Sequence, residues 1–347
     1  GMQGPFALAK QLPWQGSLRS DINDLAWLGE SFGDAWRTEG RLKGELHLLG
    51  KPDAPLVNGQ FRGDQLALRL RDQGMNLVNG ELAVELESNL LRISKLRFDS
   101  LLQAPPRALR LGAREDVAAM TSRPGRLEIS GEMRVDRNSG ADNAFLDIQL
   151  DRFGAWQLPE QWIALTGDGR LTWQQGAFGA RGKLAVDAGY WQLAERSGPT
   201  LSDDVVIKRP GKDKQPISLQ PKLDLDISAE LGRNFLFKGA GLSSRLVGDV
   251  RLRASGRDLP RASGSIRTRD GRFDAYGQQL DIERGVMTFQ GLLDNPALDI
   301  VALRKGLPVE AGVKISGTAR KPVIKLTSDP ELPEAEKLAW LILGHGP

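Results

Sequence analysis

Leu223-Asp224-Leu225-Asp226-Ile227 alternates an apolar residue with an acidic one at every step. Successive side chains of an extended chain point to opposite faces, so the two leucines and Ile227 share one side and the aspartates the other. The same period-two reading fits Leu42-Lys43-Gly44-Glu45-Leu46-His47-Leu48, Leu127-Glu128-Ile129-Ser130 and Val313-Lys314-Ile315. A chain that alternates from end to end builds a sheet with one continuous apolar face. What covers that face decides the function.

The 40 glycines and short polar clusters cut the chain into candidate strands, each of about 5–8 residues, the usual strand length. None is the unbroken Val/Ile-rich run that a parallel strand buried on both faces requires. The expected fold is therefore mainly β, a mostly antiparallel repetitive sheet with one wet face and a few short helices. Helical spacing occurs in three places. Asp21–Trp36 carries Ile22, Leu25, Leu28 and Phe32; Trp156–Leu165 is shorter and contains Pro159; Glu331–Leu343 follows Asp329-Pro330. Arg196–Gln220, rich in Pro, Lys and Asp, reads as a loop.

An internal repeat is visible. Gly182-Lys183-Leu184 … Gly189-Tyr190-Trp191 is echoed, at one constant interval, by Gly264-Ser265-Ile266 … Gly271-Arg272-Phe273. Glycine before or between strands suits a bulge or tight bend, and repetition of this kind marks a stacked, quasi-one-dimensional sheet.

Composition narrows the chemistry. The 347 residues include 47 basic and 44 acidic ones, a net charge of +3, with no basic stripe interleaved with aromatics. That balance gives no case for nucleic acid. Cysteine is absent, which removes disulfides, thiolate metal sites and a Cys nucleophile. With only His47 and His345, zinc and Ser–His–Asp chemistry have little to work with. Neither a catalytic residue, a metal ligand set nor a cofactor is assigned. The longest apolar run, Leu338 to Leu343, is far short of the roughly 20 residues a membrane-spanning helix needs. No signal peptide opens the chain, and Gly1-Met2 reads as a cleavage scar ahead of an excised fragment. Gly346-Pro347 follows a helix as though more chain came after it.

The C-terminal third carries specific motifs. Gly271-Arg272-Phe273-Asp274-Ala275-Tyr276-Gly277-Gln278-Gln279-Leu280 is followed by Gly285-Val286-Met287-Thr288-Phe289-Gln290-Gly291 and Asn295-Pro296-Ala297-Leu298-Asp299. Then come Val309 to Ala319, Leu326-Thr327-Ser328-Asp329-Pro330 and Leu338-Ala339-Trp340-Leu341-Ile342-Leu343-Gly344. In order and spacing these resemble the C-terminal domain of the TamB family, inner-membrane subunits of the translocation and assembly module. Before Phe235 the likeness is one of texture, to the wider AsmA-like group of repetitive β proteins. Two segments are therefore expected, 1–234 with short Trp-bearing helices and 235–347 ending in a short helix, within one continuous sheet. The family's N-terminal membrane anchor and its terminal strands have no counterpart here.

The resemblance implies an elongated, U-shaped β groove in the periplasm of a Gram-negative bacterium, the full-length protein being anchored in the inner membrane. It implies a bridge between membranes at both ends, an outer-membrane barrel partner resembling TamA, and a link to outer-membrane protein assembly and phospholipid transport. On that reading acyl chains lie along Leu223, Leu225, Ile227, Phe235, Phe237, Leu280, Ile282, Val286, Phe289, Leu298, Ile300, Val313 and Ile315. Read from pattern alone, such residues far more often form the filled core of a sandwich or barrel, and it is the resemblance that reverses the preference. The second functional reading is a scaffold that pairs its open edge with a strand of a barrel protein. An enzyme is not expected, because no spacing nominates a carboxylate pair.

Smaller features have bland readings. Asp224 and Asp226 suit solvated charges rather than a metal site. Arg267, Arg269 and Arg272 near Asp270 suit an exposed edge, with lipid headgroups as the alternative. Trp14, Trp27, Trp36, Trp156 and Trp162 are expected to staple helices onto the ends of the sheet.

Overall fold

The computed structural model describes residues 14–51, 54–112, 117–134, 143–174, 176–193 and 222–346. The N-terminal strands are β1 (Trp14–Ile22), β2 (Trp36–Lys51), β3 (Ala54–Leu70), β4 (Met75–Glu87) and β5 (Leu90–Ser100). They are followed by β6 (Gly125–Arg134), β7 (Asn143–Gln157), β8 (Gln161–Gln174) and β9 (Ala177–Gln192). The rest are β10 (Lys222–Gly239), β11 (Leu242–Ala254), β12 (Arg261–Ala275), β13 (Gln278–Gly291), β14 (Ala297–Leu303), β15 (Glu310–Thr318) and β16 (Lys321–Asp329). Four short helices complete the elements: α1 (Ala26–Phe32), α2 (Arg107–Gly112), α3 (Val117–Met120) and α4 (Glu334–Ile342).

All 16 strands form one sheet whose spatial order is the sequence order. Every neighbouring pair is antiparallel except β9–β10, which run parallel with Ala177 beside Lys222 and Gln192 beside Lys238. The sheet does not close into a barrel. Fifteen spacings of about 4.8 Å give it a width of about 70 Å. Residue 235, where the sequence reading divided the chain, lies inside β10, and the sheet runs through it.

The connections fall on two rims. Both α1, between β1 and β2, and the α2–α3 pair, between β5 and β6, lie at the same strand ends as α4, which follows β16. The opposite rim carries hairpins such as β11–β12 and β13–β14. The structure trims and corrects the helix expectations. Helix α1 is confined to Ala26–Phe32 because Ile22 ends β1, Trp36 opens β2, and Gly33 at φ +119° stops the helix. Trp156–Leu165 is not a helix. It is the end of β7, a tight turn through Pro159 closed by Leu158 and Gln161, and the start of β8. Bulges at Leu150/Phe153 and Gly154/Trp156 broke the alternation there and imitated a helical spacing. The stretch Arg196–Gln220 lies outside the described residues.

Glycines hold the strands close where the repeat places them. Gly264 sits at φ +125°, and a Cβ there would fall 2.3 Å from the Asp249 carbonyl oxygen on β11. Gly182, its counterpart on β9, would press a Cβ to 2.8 Å from the Asp168 carbonyl oxygen. Only glycine satisfies both limits at the first position.

Three buried clusters anchor the helices. Leu25, at the start of α1, packs with Leu66, Leu77 and Phe98 of β3–β5. Leu341 of α4, fully buried, packs on Leu280, Ile300, Val313 and Ile315. The third cluster lies on the other face. A bulge at Asp187 turns β9 over, so Val186 pairs with Leu165 while Ala188 pairs with its neighbour Ala164. Beyond the bulge Ala188 and Tyr190 therefore share a face with Ala164 and Trp162, and there Leu109 of α2 and Val117 of α3 cover them. The buried Gln157 side chain pins this excursion, donating from Nε2 to the Leu101 carbonyl at 2.9 Å and accepting from the Gln103 N–H at 2.5 Å.

At the same bulge the Arg152 N–H donates to Thr166 Oγ1 (2.9 Å), and that hydroxyl donates to Asp187 Oδ2 (2.8 Å). Burial raises the Asp187 pKa above its usual value, the Thr166 hydrogen bond opposing it only in part. A carboxylate with a raised folded pKa destabilises the fold when ionised, and the penalty disappears as pH falls through that pKa. Asp187→Asn keeps an acceptor for Thr166. It should melt higher than the parent at pH 7, with the gap narrowing on acidification; a gap that widens instead would contradict this.

Because each strand touches mainly its neighbours, with β7 also meeting β4 and β5, stability should be regional. Leu341→Ala should cost about 2–5 kcal/mol and lower amide-exchange protection in β13–β16 and α4 alone. Loss spread evenly over the sheet would contradict the regional account.

Candidate functional site

Register converts the alternation into rows that cross the sheet. One runs through Leu18, Leu46, Gly59, Leu86, Leu91, Met133, Ala144, Trp173, Phe178 and Leu223, one residue from each of β1–β10. A parallel row passes Ile22, Leu42, Leu82, Leu96, Ile129, Ile148, Ile227 and Leu252, with Gly63, Gly169 and Gly182 between them. Together they make an apolar stripe lying across the strands.

Among the described residues nothing covers the middle of the stripe. Leu18 is 59% exposed, Met133 40% and Trp173 40%, while Leu46, Leu146, Ile148, Leu171, Leu225 and Leu252 are all partly exposed. A second protein layer would take such residues close to zero. On this face α1 and α4 shield only the helix-bearing rim, at the two ends of the sheet. Between them an aromatic group stands near the same rim. Trp156 meets Trp191 edge-on at 6.0 Å, and the buried Phe235 packs where any side chain at Gly189 would collide with its ring.

The structure sorts the residues expected to line a groove into three sets. Leu223, Leu225 and Ile227 lie in the uncovered stripe. Phe235 and Phe237 belong to the aromatic rim, and Phe289 is buried against Gly264. Leu280, Ile300, Val313 and Ile315 are buried under α4, with Ile282 and Leu298 at the margin of that cluster. Val286 stands on the opposite face, across from Arg267 and Asp299, because a bulge between Ile282 and Arg284 shifts the alternation. Sequence reasoning missed the centre of the stripe, Met133, Leu146, Ile148, Leu171 and Trp173. Their alternation was legible, and only the motif-bearing C-terminal part drew attention.

The other face is a lattice of cross-strand ion pairs. Arg170 grips Asp147 through two bonds (2.5 and 2.7 Å) while stacking on Phe145 at 5.0 Å. Arg251 forks onto Asp226 at 2.5 and 2.6 Å, with Arg253 at 3.6 Å, and Arg181 reaches Asp224 at 3.0 Å. Hydrogen bonds from Arg170 and Arg251 hold Asp147 and Asp226 below the usual carboxylate range. Asp224 and Asp226 are thus solvated, paired charges. A hollow of about 1120 Å³ lies on this polar face between Asp147, Arg170, Arg181, Lys183 and Asp226. Its walls carry the Arg170–Asp147 and Arg251–Asp226 pairs together with Asp168 and Lys183. Of the tryptophans, Trp162 is buried against α2 and α3, whereas Trp27 on α1 is 54% exposed. Among the described residues no three His, Asp or Glu side chains converge on a metal position, and no helix is long and apolar enough to cross a membrane.

Comparison with known proteins places this architecture. The family profile for the TamB C-terminal domain matches residues 115–347, well upstream of the motifs read from sequence. The translocation and assembly module subunit TamB of Haemophilus influenzae is 23% identical over 97% of this chain. The chain spans about a quarter of that relative's length, 25%. An unclosed sheet in strand order, bearing the profile over most of its length, has one conclusion: the chain belongs to the TamB family.

Proposed function

We propose that the apolar stripe shields phospholipid acyl chains, and that the chain is a segment of a periplasmic conduit between inner and outer membranes. The observation that carries this reading is the partial exposure of an apolar surface running across successive strands with no protein layer over it. The energetics favour such a surface. Each methylene exposed to water costs about 0.8 kcal/mol, so two tails of about 15 carbons face on the order of 24 kcal/mol. A continuous trough of interchangeable aliphatic side chains removes most of that barrier without tight contacts at any one residue. Membership of an assembly module supports a role alongside a barrel protein resembling TamA in a Gram-negative envelope, with no catalytic step.

Strand addition is the second reading, favoured by the edges. Both β1 and β16 are paired on one side only, and Val323 and Ile324 on β16 are 46% and 54% exposed. Lys321, Pro322 and Lys325 on that edge oppose indiscriminate pairing, which weighs against it as the main activity.

The purified chain should carry phospholipid detectable by mass spectrometry. Ile148→Asp with Leu171→Asp should cut the bound amount severalfold while circular dichroism stays unchanged. Phospholipid absent from the parent, or retained in full by the variant, would refute the conduit. Photo-crosslinks from β16 to a barrel protein that survive these charge substitutions would favour strand addition.

A further inference from the structure

The rim opposite the described helices ends in three successive hairpins, β11–β12, β13–β14 and β15–β16, spaced about 10 Å apart at two strands each. The first two tips are unusual for turns. Leu259 is 74% exposed, Leu293 52% and Leu292 42%. Around them stand Arg253, Arg257, Arg261, Arg320 and Lys321, with Asp258 and Asp294 at the tips and Asp224 and Asp226 beside the first hairpin, where Arg253 pairs with Asp226. Arg320 pairs with Asp294 and takes the Asn295 side-chain oxygen on its N–H at 3.0 Å, tying the second and third tips together. The first tip is held by the Leu223 N–H, which donates to the Gly256 carbonyl at 2.7 Å. Arg257 and Arg261 have no ion-pair partner among the described residues.

On the opposite rim the charge reverses around α1 and at the start of α4, while α2 carries Arg107 and Arg110. Trp27 and Phe32 on α1 stand beside Asp24, Glu30 and Asp34, and Leu338 and Leu343 follow Glu331, Glu334 and Glu336. Leu111 on α2, between Arg110 and Gly112, is an exception and lies with the helices on that rim.

We infer that the leucine-tipped, basic rim of β11–β16 docks onto a lipid surface carrying anionic headgroups. Apolar tips enter the interface while flanking arginines meet phosphates, the pairing that holds peripheral proteins on membranes. Acidic neighbours make α1 and the start of α4 unsuited to the same surface. This rests on the acyl-chain reading, since a rim at the membrane would let lipid step sideways onto the stripe through Leu223 and Leu225.

The test is flotation of the whole chain with protein-free vesicles of phosphatidylcholine, alone or mixed with phosphatidylglycerol. The parent should bind the mixed vesicles more tightly. Leu259→Asp with Leu292→Asp and Leu293→Asp should weaken binding about tenfold or more, and Arg257→Glu with Arg261→Glu should abolish the preference for phosphatidylglycerol. Leu111→Asp should change neither, and circular dichroism should be unaltered throughout. Failure of the parent to bind protein-free vesicles overturns the proposal and leaves a protein partner as the occupant. Binding indifferent to the tip variants, or released by Leu111→Asp alone, overturns it too. A parent that binds through its tips yet carries no phospholipid upholds the rim and refutes the acyl-chain reading.

Discussion

One constraint governs the molecule: a single-layer sheet has two faces and only a few short helices to cover them. Backbone groups are satisfied strand to strand, so the fold needs no second sheet for its hydrogen bonds. The apolar side chains on one face have no such recourse. Register prevents them from turning away, because a slip of one residue would send every leucine to the charged side. Glycines reinforce this by letting backbones approach where a Cβ would strike a neighbouring carbonyl, at 2.2 Å for Gly131 and 2.1 Å for Gly167. The stripe is therefore locked outward.

The charged face is its necessary counterpart. Exposed ion pairs contribute little stability, and their value here lies elsewhere. Arg and Lys alternate with Asp and Glu across neighbouring strands, as in Arg92–Glu132 and Arg284–Asp299. That pattern keeps a broad, flat surface wet and discourages face-to-face association. Where α2 and α3 interrupt it, the bulge at Asp187 has first inverted β9 so that apolar residues meet them. Among the described residues each of the three buried clusters includes a helix-borne or helix-capping residue, while Phe235, Leu246 and Phe289 are buried within the sheet itself.

Much of this was legible in the sequence, because period-two alternation is a local property and needs no tertiary knowledge. Leu223-Asp224-Leu225-Asp226-Ile227 reads the same in the chain and in the sheet. Bulges defeated it. Val286 was placed with Val313 and Ile315 although an irregularity before it moves it to the charged side. Trp156–Leu165 resembled a helix for the same reason. Helices α2 and α3, of six and four residues, are too short to show a period at all. Whether the apolar face was covered could not be read locally, since a filled core and an open surface share one pattern. Nor could the parallel β9–β10 seam, which alternates as its antiparallel neighbours do.

The absence of cysteine gives the most direct measurement a clean background. Single cysteines introduced for Ile148, Leu171 and Leu225 on the stripe, and for Ser130 and Ser228 on the charged face, would be timed against a small thiol reagent. Stripped of lipid, both sets should react at comparable rates; phospholipid should then protect the stripe alone. Stripe cysteines that stay inert without lipid, or protection shared equally by both faces, would contradict the account.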